Sequence, residues 1–549
     1  MALRYWVTGG TGNYNSTTNW STSSGGASGA SVPTTADDAV WDANSGAGTV
    51  IINVASVAKT INFTNFTGTV DFRNTLAVAG NMTLGASMSF ANTTGTAILR
   101  VTAAATLTSN GVAFPYDFSV LTATVTITLA DNWECNNFTY NVSTGNATFN
   151  GNTFFINGDL TNLNTNRSIL GTTVFEMKGT GTLSSNFTST GNIVPNLVFN
   201  TTGTITITGT VGHTSVITWT YTSGTIITTG STFSLNAGTL NLDGMVWDNV
   251  YYSGINAITH LSDFIYSGTI TTLSSNSSKT LNGFSIRHTG VTGGIINLIG
   301  VAGDSTKLQG TTILSFEGSG TIDTGGSQGV IGAPITINTA GTYTPSTIFS
   351  INSSTFTYTS GIIDFSSSRL DLRQNNQTTT FNGISSLTFN ELLMGVSSGD
   401  AFIVLNDTMN VGTITCQSTK STLPANTNRF SGTHPFICNT FKISGGRLQE
   451  IELQDGLTYI INNSILTDYT FTYSTYTLFP TQVVKIKSTV NGSKANINLP
   501  FGAPQELYYI QFQDIDASGG QTLWLFGIFS TVTNCDNINT FTQPKPVGF

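Results

Sequence analysis

Charged side chains are scarce in this sequence of 549 residues. Lys, Arg, Asp and Glu make up only 9% of the chain, against about 25% in an ordinary globular protein. The 19 basic residues are outnumbered by 28 acidic ones, the net charge is −9, and Lys and Arg form no cluster. Nucleic acids and anionic membrane surfaces are bound through concentrated positive charge. We therefore expect no nucleic-acid partner.

Cysteine and histidine are also rare, with four residues of each. The cysteines share no C-x-x-C spacing, and we interpret them as buried thiols. A disulfide between Cys416 and Cys438 is the alternative, because the gap is close to the length of one coil of the fold predicted below. The histidines lie far apart without the spacing of metal ligands. The sequence therefore predicts no metal site and no cofactor.

Long apolar runs are missing as well. No run reaches the length of a membrane span, and the first residues, 1–6, lack the apolar segment of a signal peptide. We therefore expect no membrane insertion. We also expect synthesis in the cytoplasm and release by cell lysis or another route that needs no signal peptide.

Threonine, serine, asparagine and 58 glycines take the place of the missing charge. Threonine suits a pleated strand, and Asn and Gly tolerate the backbone of tight corners. The 34 Phe, 16 Tyr and 7 Trp residues are numerous enough to fill a long core. A disordered polar chain lacks such aromatic content, so we expect the chain to fold.

Three stretches repeat one order of short strands: residues 96–163, 172–243 and 311–372. Each runs through a Gly/Thr-rich strand, a T-x-T-x-T strand and an aromatic strand that ends in Ser/Thr-Gly. The aromatic pieces of the last two are nearly identical, TWTYTSG at 218–224 and TFTYTSG at 355–361. Repeated strands without a helical period indicate a solenoid.

The predicted fold is all-β, a right-handed parallel β-helix, also called a single-stranded β-solenoid, with about 22 residues per coil. A series of β-sandwiches is the alternative for strands this short and evenly spaced. Residues 49–460 would form the shaft. Residues 1–48 would form an N-terminal cap or docking segment, and residues 461–549 would form further β coils and a cap for the last apolar rung.

The whole chain resembles the Thr/Gly/Asn-rich β-helix proteins of tailed bacteriophages and is also similar to bacterial β-helical surface adhesins. The opening carries the likeness at 5–14 and 19–21. The coil unit resembles theirs at 106–111, and the closing coil does so at 484–488 and 514–524. No active site comes with this resemblance, and we expect the protein not to be an enzyme.

The resemblance implies a bacteriophage virion structural protein, a β-helical surface fibre or spike that engages host cell-surface glycan. Its partners would be other virion proteins of the tail or capsid, together with host surface polysaccharide, and its location would be the virion surface. Such fibres are commonly homotrimers, although one chain can close its own coil, so both states stay open. The alternatives are a head-decorating fibre, a polysaccharide-degrading tailspike and a bacterial surface adhesin.

Aromatic side chains are the predicted contact residues. Tyrosine and tryptophan in the loose N-terminal segment suggest an ordered docking piece, made of Tyr5, Trp6, Trp20 and Trp41. A second cluster, which would stack on sugar rings or contact another subunit, consists of Trp247, Tyr251, Tyr252 and Tyr266, together with Phe264. The alternative is that these rings fill the interior of the coil.

The tyrosines near the C-terminus raise the same question of surface against interior, namely Tyr469, Tyr473, Tyr476, Tyr508 and Tyr509. Acidic residues supply the only catalytic alternative. Asp514 and Asp516 would share one face of a strand, and paired carboxylates can cleave a glycosidic bond. We favour a structural turn there. Glu450 and Glu452, with Asp455, are interpreted as a solvated outer face.

Overall fold

A computed structural model describes most of the chain. The described residues are 2–91, 97–122, 124–142, 144–163, 167–186, 196–252, 256–272, 279–291, 294–297, 305–324, 329–373, 376–395, 399–418, 425–445, 449–468, 484–526 and 530–541. The chain divides into two compact units, Met1–Ile265 and Tyr266–Phe549. Both are built from stacked turns of parallel β-strand, and the described residues form about 19 turns. The predicted all-β solenoid is confirmed.

The strands that begin in the first unit are mostly two to five residues long. They are Ala2–Trp6, Gly12–Asn13, Trp20–Ser21, Asp37–Val40, Thr49–Ile52, Ser56–Ala58, Thr60–Asn62, Thr69–Phe72, Leu76–Val78, Met82–Thr83, Ser89–Phe90, Ile98–Val101, Ala105–Thr108, Asp117–Val120, Thr126–Leu129, Trp133–Cys135, Phe138–Tyr140, Ala147–Gly151, Phe154–Ile156, Leu160–Asn162, Ile169–Gly171, Val174–Met177, Gly181–Asn186, Asn196–Ile227, Thr232–Asn241, Val246–Trp247, Asn249–Tyr252, Ile258–His260 and Phe264–Tyr266.

The second unit contains several longer strands. Its strands are Ile270–Thr272, Lys279–Gly283, Ile286–His288, Gly294–Asn297, Ser305–Gly310, Leu314–Phe316, Gly320–Asp323, Gly329–Ile331, Ile335–Pro345, Ile348–Ile351, Thr355–Ile363, Arg369–Leu372, Gln377–Asn382, Thr388–Met394, Ala401–Leu405, Met409–Ser418, Asn426–Gly432, Phe436–Gly445, Gln449–Leu453, Thr458–Asp468, Val484–Ser488, Ala495–Asn498, Gln505–Tyr508, Ile510–Gln513, Ile515–Asp516, Leu523–Phe526, Thr531–Thr533 and Ile538–Phe541. The described residues form no α-helix, and their 3₁₀ turns are Thr17–Asn19, Ala43–Ser45 and Ile384–Ser386.

Apolar side chains stack in register along the inside of the turns. One column in the first unit pairs equivalent positions of five successive turns and is fully buried at all five, namely Leu99, Phe118, Phe138, Leu160 and Leu183. Most residues on either side of the column members are more exposed, as the period of two in a strand predicts, although Ser119 beside Phe118 is buried. This alternation turns a sequence with little charge into a continuous apolar interior.

Side chains at the corners hydrogen-bond to the backbone of the next turn. Asp117 accepts the backbone N–H of Asn137 at 3.3 Å. Asn137 accepts that of Asp159 at 2.7 Å, and Asp159 accepts that of Thr182 at 2.7 Å. Each acceptor therefore satisfies a backbone donor that strand pairing leaves over at the bend. These bonds explain why Asn and Asp recur once per turn.

The N-terminal tryptophans form an interior plug. Trp20 lies at the centre, with its ring centroid 5.3 Å from that of Trp6 and 5.1 Å from those of Trp41 and Tyr14. Trp6, Trp20 and Trp41 are at most 1% exposed, so their indoles are not available to another protein. The docking prediction must be corrected for these three residues, because their rings fill the interior of the first turns. Tyr5 is half-buried.

All four cysteines are free thiols. Cys416 lies in register with Ile443 and Cys438 with Val411, so the two sulfur atoms belong to different inward columns. Both side chains are buried, and burial raises the pKa of each thiol above its ordinary value. The Cys416–Cys438 bridge is not formed, and the buried-thiol interpretation holds for Cys135, Cys416 and Cys438.

Candidate functional site

The predicted aromatic contact cluster lies mostly inside the solenoid. Trp247, Tyr252 and Tyr266 are at most 1% exposed, and the Trp247 ring stacks on Phe233 with centroids 4.1 Å apart. A ring this deeply buried cannot stack on a sugar. The surface prediction must therefore be corrected for these three residues, which fill the core. Strand phase explains the outcome, because Trp247 and Tyr252 occupy inward positions of short strands.

Tyr251 is the one member of this cluster that points outward. It is half-buried beside the inward Tyr252, and partial burial raises the pKa of its hydroxyl. Phe264, which completes the predicted cluster, is 1% exposed. A single half-exposed ring does not form a platform for a ligand, so the glycan contact must be sought elsewhere.

The carboxylates at Asp514 and Asp516 do not form a reacting pair. Asp514 has a left-handed backbone, φ 55°, between the strands Ile510–Gln513 and Ile515–Asp516. The two residues therefore do not share one strand face, which corrects the expectation from simple alternation. Asp516 Oδ1 accepts the backbone N–H of Ser518 at 2.7 Å. Asp514 is buried and bonded by Asn534 at 2.5 Å.

The acidic group at Glu450 and Glu452 is neutralised by the adjacent turns. Lys487 Nζ lies 2.6 Å from Glu450 and 3.0 Å from Glu452, and Arg429 pairs with Glu452 from the other side. Burial alone would raise the pKa of Glu452, but hydrogen bonds from Arg429 and Lys487 lower it below its ordinary value. These carboxylates therefore join adjacent turns through ion pairs.

Two of the histidines are buried, whereas His434 is exposed. His260 and His288 are at most 1% exposed. The Nδ1 of His288 lies 3.0 Å from the Tyr343 hydroxyl, and neither ring nitrogen of His260 has a hydrogen-bond partner. Across the described ranges, no group of three His, Cys, Asp or Glu side chains could hold a metal ion.

Aromatic rings that are half-buried or exposed instead line the outer face of the C-terminal turns. We name Tyr508, Trp524, Phe526 and Phe541 the outer aromatic ladder. Tyr508 is in register with Phe526, and Phe526 with Phe541. Adjacent ring centroids of this column are 5.5 Å apart, and the Phe526 and Phe541 planes differ by 8°. Trp524 packs beside the column, 4.9 Å from Phe541.

Alternation places these rings at the surface. Leu507, Leu523 and Leu525 point inward and are fully buried, so the aromatic residues between them point outward. Phe541 is 46% exposed, and Tyr508, Trp524 and Phe526 are half-buried. Stacking of the rings on one another lowers the cost of leaving so much apolar surface in water. Apolar surface of this kind is a common mark of a binding site.

Of the outer aromatic ladder, Tyr508 alone is among the contact residues predicted from the sequence. Trp524, Phe526 and Phe541 were not predicted. The signal was the alternation Leu-Trp-Leu-Phe at 523–526, in which both faces are apolar. Of the other tyrosines named near the C-terminus, Tyr509 is half-buried, and Tyr469, Tyr473 and Tyr476 lie outside the described residues.

Comparisons of the chain with protein-family models, curated proteins and solved structures found no match. Among the residues that the structure describes, none forms a helix that is long and apolar enough to cross a membrane.

Proposed function

We propose that the chain is a structural protein of a tailed-bacteriophage virion, a β-helical surface fibre or spike that contacts host cell-surface glycan. Its other partners would be proteins of the tail or capsid. It acts by binding and spacing, without breaking bonds in the glycan. The single observation that carries this proposal is the pairing of a parallel β-solenoid with a ladder of aromatic rings on its outer face.

The solenoid supports a role in the extracellular environment. Backbone donors and acceptors are bonded to the preceding and following turns, and corner side chains such as Asn137 and Asp159 take up donors that the strands leave over. Proteases need an unfolded segment to cut, and stacked pairing keeps the backbone of the turns out of reach. A particle surface requires this resistance.

The ladder supports contact with a glycan. Sugar rings present C–H groups that pack on aromatic surface, and neighbouring amides and hydroxyls bind their hydroxyl groups. Tyr508, Trp524, Phe526 and Phe541 offer the aromatic surface on adjacent turns. Asn539 lies in register with Trp524 and is exposed, so an amide stands beside the rings.

The proposal is tested on particles. Mass spectrometry of purified virions released from cells that encode the chain should detect it, and immunogold labelling should place it on the outside of intact particles. Purified protein should also slow adsorption of these particles to host cells. Absence of the chain from washed virions would refute the proposal.

Labelling of the head alone, with no effect on adsorption, would favour a decorating fibre. A second assay addresses bond cleavage, in which the protein is incubated with host polysaccharide and reducing ends are counted. Continued release of reducing ends would show that the protein is a degrading tailspike.

A further inference from the structure

One of the seven tryptophans is more exposed than the rest. Six are at most 1% exposed: Trp6, Trp20, Trp41, Trp133, Trp219 and Trp247. Trp524 alone is half-buried, on the outer face of its strand and against Phe541. Every tryptophan outside the outer aromatic ladder is therefore buried in the core. A ligand that covers the ladder would remove the apolar surface of Trp524 from water, which is favourable.

The polar groups beside the ladder are uncharged. The Gln505 side-chain amide makes two hydrogen bonds to the backbone. Its oxygen accepts from Trp524 N at 2.8 Å, and its nitrogen donates to Thr522 O at 2.9 Å. The Thr522 hydroxyl donates to Asn537 at 2.7 Å. Asn539 is exposed and lies in register with Trp524. Gln505 and Thr522 thus hold the strands beside the ladder in place, and Asn539 presents an exposed amide to a ligand.

Positive charge is missing from these strands. Gln505–Tyr508, Leu523–Phe526 and Ile538–Phe541 contain no Lys or Arg, and their one charged residue is an acid, Glu506. A uronate, sialate or phosphate group is bound in proteins through Arg or Lys. An acidic glycan would find no such partner in these strands, and the net charge of −9 would repel it.

We propose that the outer aromatic ladder binds an uncharged glycan, a chain of neutral hexoses or N-acetylhexosamines. The inference rests on the proposed function and narrows its ligand class. C–H faces of the sugars pack on Trp524 and Phe541, and sugar hydroxyls bond to Asn539. Neutral sugars lose little hydration energy on such a surface, whereas a charged sugar would lose more without an ion pair in return.

The test uses the full chain on an array that carries neutral bacterial polysaccharides and, as separate spots, polysaccharides rich in uronate, sialate or phosphate. We expect the bound spots to be neutral. Phe541→Ala should weaken binding about tenfold, the loss of one aromatic contact, and Trp524→Ala should do so by at least as much. Phe501→Ala, which removes an 87% exposed ring outside the ladder, should bind like the parent.

Fluorescence supplies the second readout, because Trp524 is the tryptophan that a ligand on the ladder can reach. A neutral polysaccharide from the array should shift the emission of the parent protein and leave that of Trp524→Ala unchanged. Phe541 is exposed, so Phe541→Ala leaves the core intact, and an unchanged circular dichroism spectrum would verify its folding.

Three results would overturn the inference, and they are distinguishable from failure of the proposed function. Acidic glycans that bind through Phe541 would refute the ligand class and leave a glycan-binding fibre standing. Neutral binding that Phe541→Ala does not weaken would refute the site. A Trp524 emission that shifts with protein concentration alone would show that a second copy covers the ladder. The proposed function is tested separately, by the presence of the chain on virions, its effect on adsorption and the reducing-end assay.

Discussion

Asn137 joins three successive turns through one side chain. Its Oδ1 accepts the backbone N–H of Asp159 at 2.7 Å, and its Nδ2 donates to Asp117 Oδ1 at 2.9 Å. These partners lie 22 residues ahead and 20 residues behind. Neither contact is local in sequence, so the side chain acts only when the turns are stacked.

Replacing Asn137 by Ala should therefore loosen the stack locally. The variant removes the acceptor of the exposed Asp159 N–H, and we expect a loss of about 1 kcal/mol in local stability. Hydrogen–deuterium exchange mass spectrometry of peptides spanning 154–163 would measure it as faster exchange. Asn65→Ala, at an exposed position of the same unit, serves as the control. Equal exchange in both variants would contradict the corner-bond account.

Replacing Trp20 by Ala should destabilise the N-terminal turns strongly. The ring is fully buried among Trp6, Tyr14 and Trp41, and removing such a side chain costs about 3–5 kcal/mol. Thermal unfolding followed by near-ultraviolet circular dichroism would show the loss. Tyr5→Ala, at a half-buried position, should cost much less. A stable Trp20→Ala protein that no longer associates with particles would restore the docking interpretation.

His260 should make the protein less stable in acid. Burial lowers the pKa of this imidazole from 6.5 to about 4, so between these values the unfolded chain binds a proton that the folded chain does not. The stabilisation is complete above about pH 6.5, is lost as the pH falls, and stops changing below about pH 4. We expect a loss of about 3 kcal/mol over this window.

Carboxylates titrate in part of the same range, so the measurement is a difference. Urea unfolding of the parent and of His260→Leu would be followed from pH 7 to pH 4. The variant should lose less stability on acidification than the parent. Parallel curves for the two proteins would show that the ring takes up its proton without unfolding.

Glu452 should matter more to stability than its neighbour Glu450. It lies between Arg429 and Lys487 and is 8% exposed, whereas Glu450 contacts Lys487 at a more open position. Glu452→Gln should cost about 1–2 kcal/mol, and Glu450→Gln less than about 1 kcal/mol. Urea unfolding at neutral pH would compare them. A larger loss from Glu450→Gln would contradict this ranking.

The fold could be predicted from the sequence because its signal repeats. Columns such as Phe118, Phe138 and Leu160 recur once per turn, and the Asn and Asp residues mark the corners between them. Many copies of a weak pattern identify a solenoid even where each strand has only three or four residues. The sandwich alternative required antiparallel pairing of successive strands. The described strands pair mainly in parallel, with an antiparallel pair between Ala2–Trp6 and Trp20–Ser21.

The site could not be predicted because it depends on strand phase. Tyr251 and Tyr252 are identical neighbours, yet one points outward and the other inward. At 523–526 both faces of the strand are apolar, so alternation alone does not say whether Leu or Trp and Phe face the core. The preceding strand decides, since Leu507 pairs with Leu525 and Tyr508 with Phe526. Phase is therefore a property of neighbouring turns.

Corner bonds and strand pairs reach only from each turn to the ones before and after it, which bears on how such a gene can change. Duplication of a whole turn inserts a unit whose two edges match those already present. Loss of one residue within a strand exchanges the inner and outer faces beyond that point. Insertions or deletions of about one turn, roughly 22 codons, should therefore be tolerated in the gene. Insertions or deletions of a single codon within a strand should be selected against.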